Sequence, residues 1–286
     1  MLNRNFKDFK FQHKRNKNQV LYTFKKTQND REVLNLIDNF LREKNSFIFE
    51  SVEKGKIRGR YTIFGKNPDK IWEFNNKNSY LIINKVKNKI KGDPEKIIEK
   101  IIEDFKFKTP SGLPPICSLI SGYFSYDSIR YIEKIPNKCK DDLKLPDVRL
   151  LRPRTLVIHD NLKKKIFYII NIFKDENISN YKEKYLDIEC QINDLLIQAA
   201  LRKNDVYKIA EANIKVKSNT SKSKFLKMIS KAKKYIKIGD IFQVVLSQRF
   251  EAKLSKTPLE IYKKLRITNP SPFMYFFNFE DFQIIG

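Results

Sequence analysis

The sequence predicts an α+β fold in which two packed antiparallel β-sheets are flanked by helices. Segments with strand-like patterns outnumber the helical segments, and most neighbouring strands are separated by short turns, as in β-hairpins. A polar stretch without hydrophobic periodicity begins near residue 205, as is typical of an inter-domain linker. We therefore expect an N-terminal domain over residues 1–204, a linker over 205–222 and the beginning of a second domain over 223–286.

The first part of the chain combines one helix with several short strands. Residues up to about Thr27 carry little pattern, so we expect a loose start that contains one strand. Asp30 can cap a helix whose apolar residues at positions 33, 34, 37, 40 and 41 fall on one face. Strand signals separated by turn residues lie at Val20–Phe24, Phe47–Phe49, Arg60–Gly65, Ile71–Phe74 and Tyr80–Asn84.

The middle of the chain continues this alternation of helices and strands. A helix opens at Asp93, and the isoleucines that follow share one face of it. A buried strand and a short helix are expected over residues 122–133, and a hairpin over residues 155–173. The spacing of apolar residues between positions 185 and 199 predicts a long amphipathic helix.

The last part of the chain has the clearest boundaries. A helix ends at Gly239, and Ile241–Phe250 is apolar on both alternating faces, which favours a strand covered on both sides. Thr257–Glu260 is a capping box with proline at the first helical position, and the prolines of Asn269–Pro272 cannot continue that helix. Two further strands are predicted at Phe273–Phe279 and Phe282–Ile285.

The strongly basic composition has two readings. With 58 Lys and Arg against 33 Asp and Glu, the formal net charge is +25, which can indicate a nucleic-acid or an anionic-membrane partner. The lysines are scattered over all segments and form no single stripe, so we expect neither partner. A basic nucleic-acid-binding protein stays the alternative from another functional class, and it would bind unrelated DNA with a steep loss of affinity as salt rises.

Cysteine usage and hydropathy predict the compartment. The three cysteines have neither a pairing pattern nor metal-ligand spacing, which is typical of thiols in a reducing environment. The N-terminal residues lack the apolar core of a secretory signal, and the longest apolar run, Ile166–Phe173, is far too short to span a bilayer. We therefore expect a soluble cytoplasmic protein.

Two long motifs near the end of the chain carry a family resemblance. The segment Gly239–Ser247, GDIFQVVLS, followed by Asn269–Met274, NPSPFM, resembles the chorismate-utilising enzymes and is most similar to anthranilate synthase component I. A weaker pair of motifs, Glu50–Ser51 and Arg60–Gly65, is similar to the Glu-Ser strand end and the Arg-Tyr-x-x-x-Gly strand of the same enzymes. Residues 122–133 and Leu145–Asp147 resemble a third sequence signature of the same family.

The resemblance implies a reaction, a metal and a partner. Members of the family use Mg²⁺ to hold chorismate, add ammonia to its ring and eliminate pyruvate to give anthranilate, and a separate glutamine amidotransferase subunit commonly supplies the ammonia. In the family the acidic Mg²⁺ ligands and the catalytic histidine follow the strand that resembles Gln283–Gly286. We therefore expect them beyond Gly286. Aminodeoxychorismate synthase component I, which aminates chorismate without losing pyruvate, is the alternative within the family.

The resemblance also implies a feedback site for L-tryptophan. Relatives place this inhibitor between the Glu-Ser strand end and the Asn-Pro-Ser-Pro turn, which implies a site made of Glu50, Ser51, Pro272, Phe273 and Met274. Glu50 can pair with an ammonium group, Ser51 offers a hydroxyl, and Phe273 with Met274 offers apolar contact. Gln243 and Ser247, on one face of the predicted strand 241–250, are candidates for the substrate pocket.

Overall fold

The computed structural model describes residues 2–27, 30–51, 59–76, 78–105, 107, 109–201 and 214–286. Its helices are α1 (Phe6–Lys14), α2 (Arg31–Phe40), α3 (Pro94–Asp104), α4 (Tyr181–Ala200), α5 (Lys222–Lys237) and α6 (Pro258–Thr268), with a short 3₁₀ helix at Tyr126–Tyr131. Its strands are β1 (Gln19–Lys26), β2 (Ser46–Glu50), β3 (Tyr61–Asn75), β4 (Asn78–Ile83), β5 (Val86–Ile90), β6 (Ser121–Phe124), β7 (Val148–Asp160), β8 (Lys165–Ile172), β9 (Val216–Ser218), β10 (Phe250–Ala252), β11 (Met274–Asn278) and β12 (Gln283–Ile285).

Ten of the strands form one large antiparallel sheet. Its main path runs β1–β8–β7–β3–β2–β11–β12, while β4 and β5 extend from one end of β3 and β6 pairs with β7. Strands β9 and β10 form a separate antiparallel pair. The predicted α+β class with antiparallel sheets is thereby confirmed, with one sheet much larger than the other.

The chain divides into two compact units. The first contains Met1–Asn204 and Tyr262–Gly286, and the second contains Asp205–Ile261, so that the division falls inside α6. The last residues join the first unit because β11 pairs with β2 over five residues, from Met274 opposite Glu50 to Asn278 opposite Ser46. The domain limits 1–204 and 223–286 stay a prediction, and half of the predicted linker, residues 205–213, lies outside the described residues.

Aromatic side chains fill the core of the first unit around the β2–β11 pair. The rings of Phe47 and Phe277 lie 5.5 Å apart, and Phe277 stacks on Phe279 at 5.1 Å. The ring of Phe47 also covers Gly65 on β3, where a Cβ atom would lie 2.2 Å from the ring. The Gly65 of the Arg-Tyr-x-x-x-Gly motif thus makes room for a neighbouring ring.

Three of the expectations about secondary structure are wrong. Residues 6–14 form helix α1, because Phe9 and Phe6 pack on Tyr185 of α4 in a contact that local sequence cannot reveal. The two strands predicted at 60–65 and 71–74 are one long strand, β3, whose register with β7 shifts between Pro68 and Lys70. Such a shift accommodates Pro68, which cannot donate a ladder hydrogen bond.

The third correction concerns Ile241–Phe250. Residues 241–249 form neither helix nor strand, and only Phe250 begins β10. Phe242 is 99% exposed and Val245 is 81% exposed, so within the described part of the second unit no layer covers this apolar segment. Because a strand requires a hydrogen-bonded neighbour, the apolar pattern alone does not make one here.

Candidate functional site

A pocket of about 460 Å³ opens where β2 ends and β11 begins. Its lining comes from three segments of the first unit, namely Phe49–Ser51, Gly59–Tyr61 and Pro272–Tyr275. The antiparallel register of β2 and β11 places Glu50 opposite Met274 and Phe49 opposite Tyr275. The structure therefore brings together Glu50, Ser51, Pro272, Phe273 and Met274, the five residues expected to share one site.

Glu50 is buried beside the pocket and is already hydrogen-bonded. Only 5% of its surface is exposed, and the hydroxyl of Tyr262 donates a hydrogen bond to its Oε1. Arg266 Nε lies 2.9 Å from both carboxylate oxygens. Tyr262 and Arg266 stand one turn apart on α6, so this helix presents both donors to the end of β2. A buried carboxylate is stable here because a cation and a hydroxyl compensate its charge.

Ser51 offers a hydroxyl at the start of the same pocket. Its Oγ is buried, and in the part of the chain that the structure describes no hydrogen-bond partner reaches it. Gly59, in the left-handed region with φ of +87°, approaches so closely that a Cβ atom there would lie 2.7 Å from this Oγ. A buried polar atom without a partner is costly, and a ligand that bonds to it would remove that cost.

Arg60 supplies a positive charge to the lining of the pocket. Its guanidinium donates from Nε to Asp160 Oδ1 at 3.1 Å and from Nη2 to Asp160 Oδ2 at 2.9 Å, and it lies 4.7 Å above the ring of Tyr61. Burial pushes the pKa of Asp160 upward, but the hydrogen bonds from Arg60 and the backbone outweigh burial and hold that pKa below its usual value. The third guanidinium nitrogen, Nη1, takes no part in the two hydrogen bonds to Asp160.

The walls of the pocket are apolar and differ in exposure. Phe273 is 82% exposed at the mouth, whereas Met274 is only 2% exposed. Phe49, Tyr61 and Tyr275 complete the aromatic surface. A carboxylate, a hydroxyl and a guanidinium around aromatic walls suit a small zwitterion with a flat apolar side chain.

Sequence reasoning missed three members of this site. Arg60 stands in the motif that indicated the family but was assigned no function, and Tyr262 and Arg266 were assigned only to a helix. Tyr262 and Arg266 lie more than two hundred residues from Glu50 in the sequence, so only the fold reveals their contact with it. One local signal existed, since Tyr262 and Arg266 are spaced by four and share one face of α6.

The two candidates for the substrate pocket lie elsewhere. Gln243 and Ser247 are exposed and belong to the irregular segment of the second unit, whereas the pocket lies in the first unit. The strand that would have placed both side chains on one face is not formed. A role for them in binding substrate stays a prediction.

The described residues contain no group of three or more His, Cys, Asp or Glu side chains that could hold a metal ion. Within those ranges the side chains therefore do not fit a Mg²⁺ site. Over the same ranges, every helix is too short or too polar to cross a membrane.

Comparison with known proteins gives a consistent family. Residues 44–286 match the family described as chorismate binding enzyme. Anthranilate synthase component 1 of Acetivibrio thermocellus is 36% identical, with 88% of this chain and 52% of that protein covered, and its counterpart from Cereibacter sphaeroides is 32% identical, with 98% and 57% covered. The chain thus spans about half the length of these relatives.

A solved structure agrees with these sequence relatives. The crystal structure of anthranilate synthase component I from Streptococcus pneumoniae TIGR4 matches with a TM-score of 0.66 and 29% sequence identity. The match covers 82% of this chain and 51% of that one. The fold and the sequence motifs therefore indicate the same group of proteins.

Proposed function

The chain belongs to the family of chorismate-binding enzymes, and we propose on that premise that it functions as component I of an anthranilate synthase. The complete enzyme converts chorismate and ammonia into anthranilate and pyruvate, the first step of tryptophan biosynthesis. The names of the relatives support this proposal over aminodeoxychorismate synthase component I.

The observation that carries the proposal furthest is the pocket at the β2–β11 pair. It unites the two segments through which the sequence resembles anthranilate synthase, Glu50–Ser51 and Pro272–Met274. Its chemistry suits L-tryptophan, the end product of the pathway, and we propose that L-tryptophan binds there as a feedback inhibitor. The volume of about 460 Å³ falls within the range usual for small-molecule sites.

Each polar group of the pocket has a role in this proposal. The ammonium of L-tryptophan shares the Glu50 carboxylate with Tyr262 and Arg266, and a charge-assisted hydrogen bond of this kind contributes about 1.5–3 kcal/mol. Ser51 Oγ gains the partner that it lacks among the described residues, and Nη1 of Arg60 donates to the ligand carboxylate. The indole ring packs on Met274 and Phe273.

The remaining parts of the proposal concern the whole enzyme. Mg²⁺ would be held by residues outside the described ranges, and when bound it would supply Lewis-acid chemistry for the reaction of chorismate. A glutamine amidotransferase subunit supplies ammonia, and the enzyme works in the cytoplasm. We also propose that the main catalytic residues of the enzyme correspond to the part of the relatives' sequences that this chain does not cover.

Growth complementation tests the proposed reaction. The complete gene is expressed in two bacterial strains, one lacking anthranilate synthase component I and the other lacking aminodeoxychorismate synthase component I. We expect growth of the first strain without tryptophan and no growth of the second without p-aminobenzoate. Growth of the second strain alone would replace the proposal by the folate-pathway reaction, and growth of neither would contradict both.

A further inference from the structure

A second cavity of about 460 Å³ lies between helix α3 and strands β3, β4 and β5. It shares no lining residue with the pocket at the β2–β11 pair. Its volume is again within the range of small-molecule sites.

The floor of this cavity is apolar, with aliphatic and aromatic side chains. Trp72 on β3 lies directly opposite Leu81 on β4, and the two side chains form one side of the cavity. Ile97 and Ile101, one turn apart on α3, form the other side. Phe173 closes one end. Trp72 and Ile101 are each only 7% exposed, and both belong to one core cluster against which Leu81, Ile90 and Ile97 pack half-buried.

Cations outnumber carboxylates around the floor. The charged lining residues are Lys70, Lys91, Lys100, Arg152 and Lys174 against Asp104 and Asp175.

Two of these cations are already neutralised. Arg152 pairs with Asp69 and Asp175, and Lys70 also pairs with Asp175. The Arg152 guanidinium lies 4.0 Å above the ring of Phe173, which fixes it against the floor.

Three lysines at the rim add positive charge to the mouth of the cavity. Across the described ranges, no carboxylate forms an ion pair with Lys91, Lys100 or Lys174. Their combined potential attracts anions and repels cations at the mouth of an apolar cavity. Concave apolar floors with a few charged groups at the edge are typical of sites for amphiphilic small molecules.

We propose that this cavity binds a small molecule that joins an aromatic body to an anionic head group. The aromatic body packs on the apolar floor beside Trp72, and the anionic group meets the lysines at the rim. Trp72 and Phe173 favour a flat ring over a flexible alkyl chain, because aromatic surfaces pack well on one another. The proposal does not depend on the enzyme's reaction or on L-tryptophan.

A single resonance reports on the site. Trp72 is the only tryptophan of the chain, so its indole N–H gives one isolated peak in a ¹H–¹⁵N spectrum. The probe is 1-anilinonaphthalene-8-sulfonate, which has an aromatic body and one sulfonate. We expect a saturable shift of the Trp72 peak that fits one molecule per chain. An unmoved Trp72 peak during binding of the probe would overturn the proposal, since the probe would then occupy another surface.

A matched pair of probes tests the anionic head group. N-phenyl-1-naphthylamine has the same aromatic body without the sulfonate. We expect it to bind about tenfold more weakly at this cavity, because it cannot use the lysines of the rim. Equal affinities of the two probes would contradict the proposed role of the charge.

A matched pair of variants tests the lysines. Lys100→Glu reverses a charge that lines the cavity, whereas Lys96→Glu makes the same change on the solvent side of α3, where the side chain is 80% exposed. Both positions are on the surface, so both variants should fold. We expect Lys100→Glu to weaken sulfonate binding about tenfold and Lys96→Glu to leave it within about twofold. Equal effects of the two variants would mean that binding responds to the net charge of the protein and not to the cavity, and they would overturn the proposal.

Discussion

Glu50 shows how a single side chain can belong to both the fold and the site. Its carboxylate, at the end of β2, accepts hydrogen bonds from Tyr262 and Arg266 of α6. The same residue lines the pocket. A ligand ammonium would therefore enter an existing ion pair instead of meeting a free charge. Changes at Tyr262 and Arg266 should alter stability and ligand binding together, unlike changes at Ser51, whose hydroxyl forms no bond among the described residues.

The first prediction concerns the hydroxyl of Tyr262. Tyr262→Phe removes the hydrogen bond to the buried Glu50 carboxylate and should lower the free energy of unfolding by about 1.5–3 kcal/mol. Urea denaturation followed by circular dichroism measures the change. Tyr126→Phe is the control, because Tyr126 is 85% exposed and the same atom is lost without a buried partner. Equal stabilities of the two variants would contradict the importance of the Glu50 contact.

The second prediction concerns Asp175 and acid stability. Burial pushes the pKa of Asp175 upward, but hydrogen bonds and charge from Arg152 and Lys70 outweigh burial and lower it from 3.8 to about 2. The folded-state pKa lies below the unfolded value, so the stabilisation is complete above about pH 4 and is lost as the pH falls towards 2.

Urea midpoints measured across this pH range test the role of Asp175. They should fall less steeply in Asp175→Asn than in the wild type, because the variant no longer releases this proton on folding. Asp104→Asn is the control, since within the described chain Asp104 forms no ion pair. An unchanged pH dependence in Asp175→Asn would show that its ion pairs contribute nothing.

At the scale of elements, patterns decided by neighbouring residues were predicted well. Thr257 and Glu260 form the capping box as expected, since Glu260 accepts from the Thr257 backbone at 2.8 Å and donates its own N–H to Thr257 Oγ1 at 3.3 Å. The predicted serine cap of α5 is Ser221, whose Oγ accepts from the backbone of Lys224. The hairpin of β11 and β12 also lies where its turn residues indicate.

Elements decided by distant contacts were not predictable in the same way. Strand β5, with the sequence Val-Lys-Asn-Lys-Ile, has no strand-like apolar pattern and exists because it pairs with β4. Helix α1 depends on aromatic contacts with α4, and the irregular segment 241–249 has an apolar pattern but pairs with no strand that the structure describes. In the site, the motif residues were predicted from family resemblance, whereas Tyr262 and Arg266 required the packing of α6.

The third prediction concerns the contact between β2 and β3. Gly65→Ala places a methyl group against the ring of Phe47 and should destabilise the protein by about 1–3 kcal/mol in urea denaturation. The matched control is the same change in a Phe47→Ala background, where the ring is absent. The cost of Gly65→Ala should largely disappear there. A cost that is the same in both backgrounds would mean that the backbone, and not the ring, requires glycine.

At the scale of the whole molecule, the chain forms two compact units, and the two cavities are lined by residues of only one of them. The first unit contains the large sheet and both cavities, and the second contains α5, the β9–β10 pair and the exposed segment around Phe242. Strand β11 belongs to the first unit although it follows the second in sequence, so the pocket joins residues that are more than two hundred positions apart. Strands β11 and β12 therefore add to a large sheet whose other strands come from the first 172 residues.

The fourth prediction concerns catalysis by residues 1–286 alone. The chain spans about half the length of its relatives, and its described part contains no group of side chains suited to a metal. We therefore expect no anthranilate when the purified chain is incubated with chorismate, ammonium and Mg²⁺, as measured by anthranilate fluorescence. Anthranilate formation above the rate of a protein-free control would show that the chain carries a complete catalytic site.

Calorimetric titration of the purified chain with L-tryptophan tests the central claim, that the pocket at the β2–β11 pair recognises this amino acid. We expect one L-tryptophan per chain, and affinity lowered by about tenfold or more in Ser51→Phe, whose ring occupies the pocket. Ser223→Phe, the same change at an exposed position of α5, should bind like the wild type. Absence of binding to the wild-type chain, or equal binding by Ser51→Phe and the wild type, would contradict the claim.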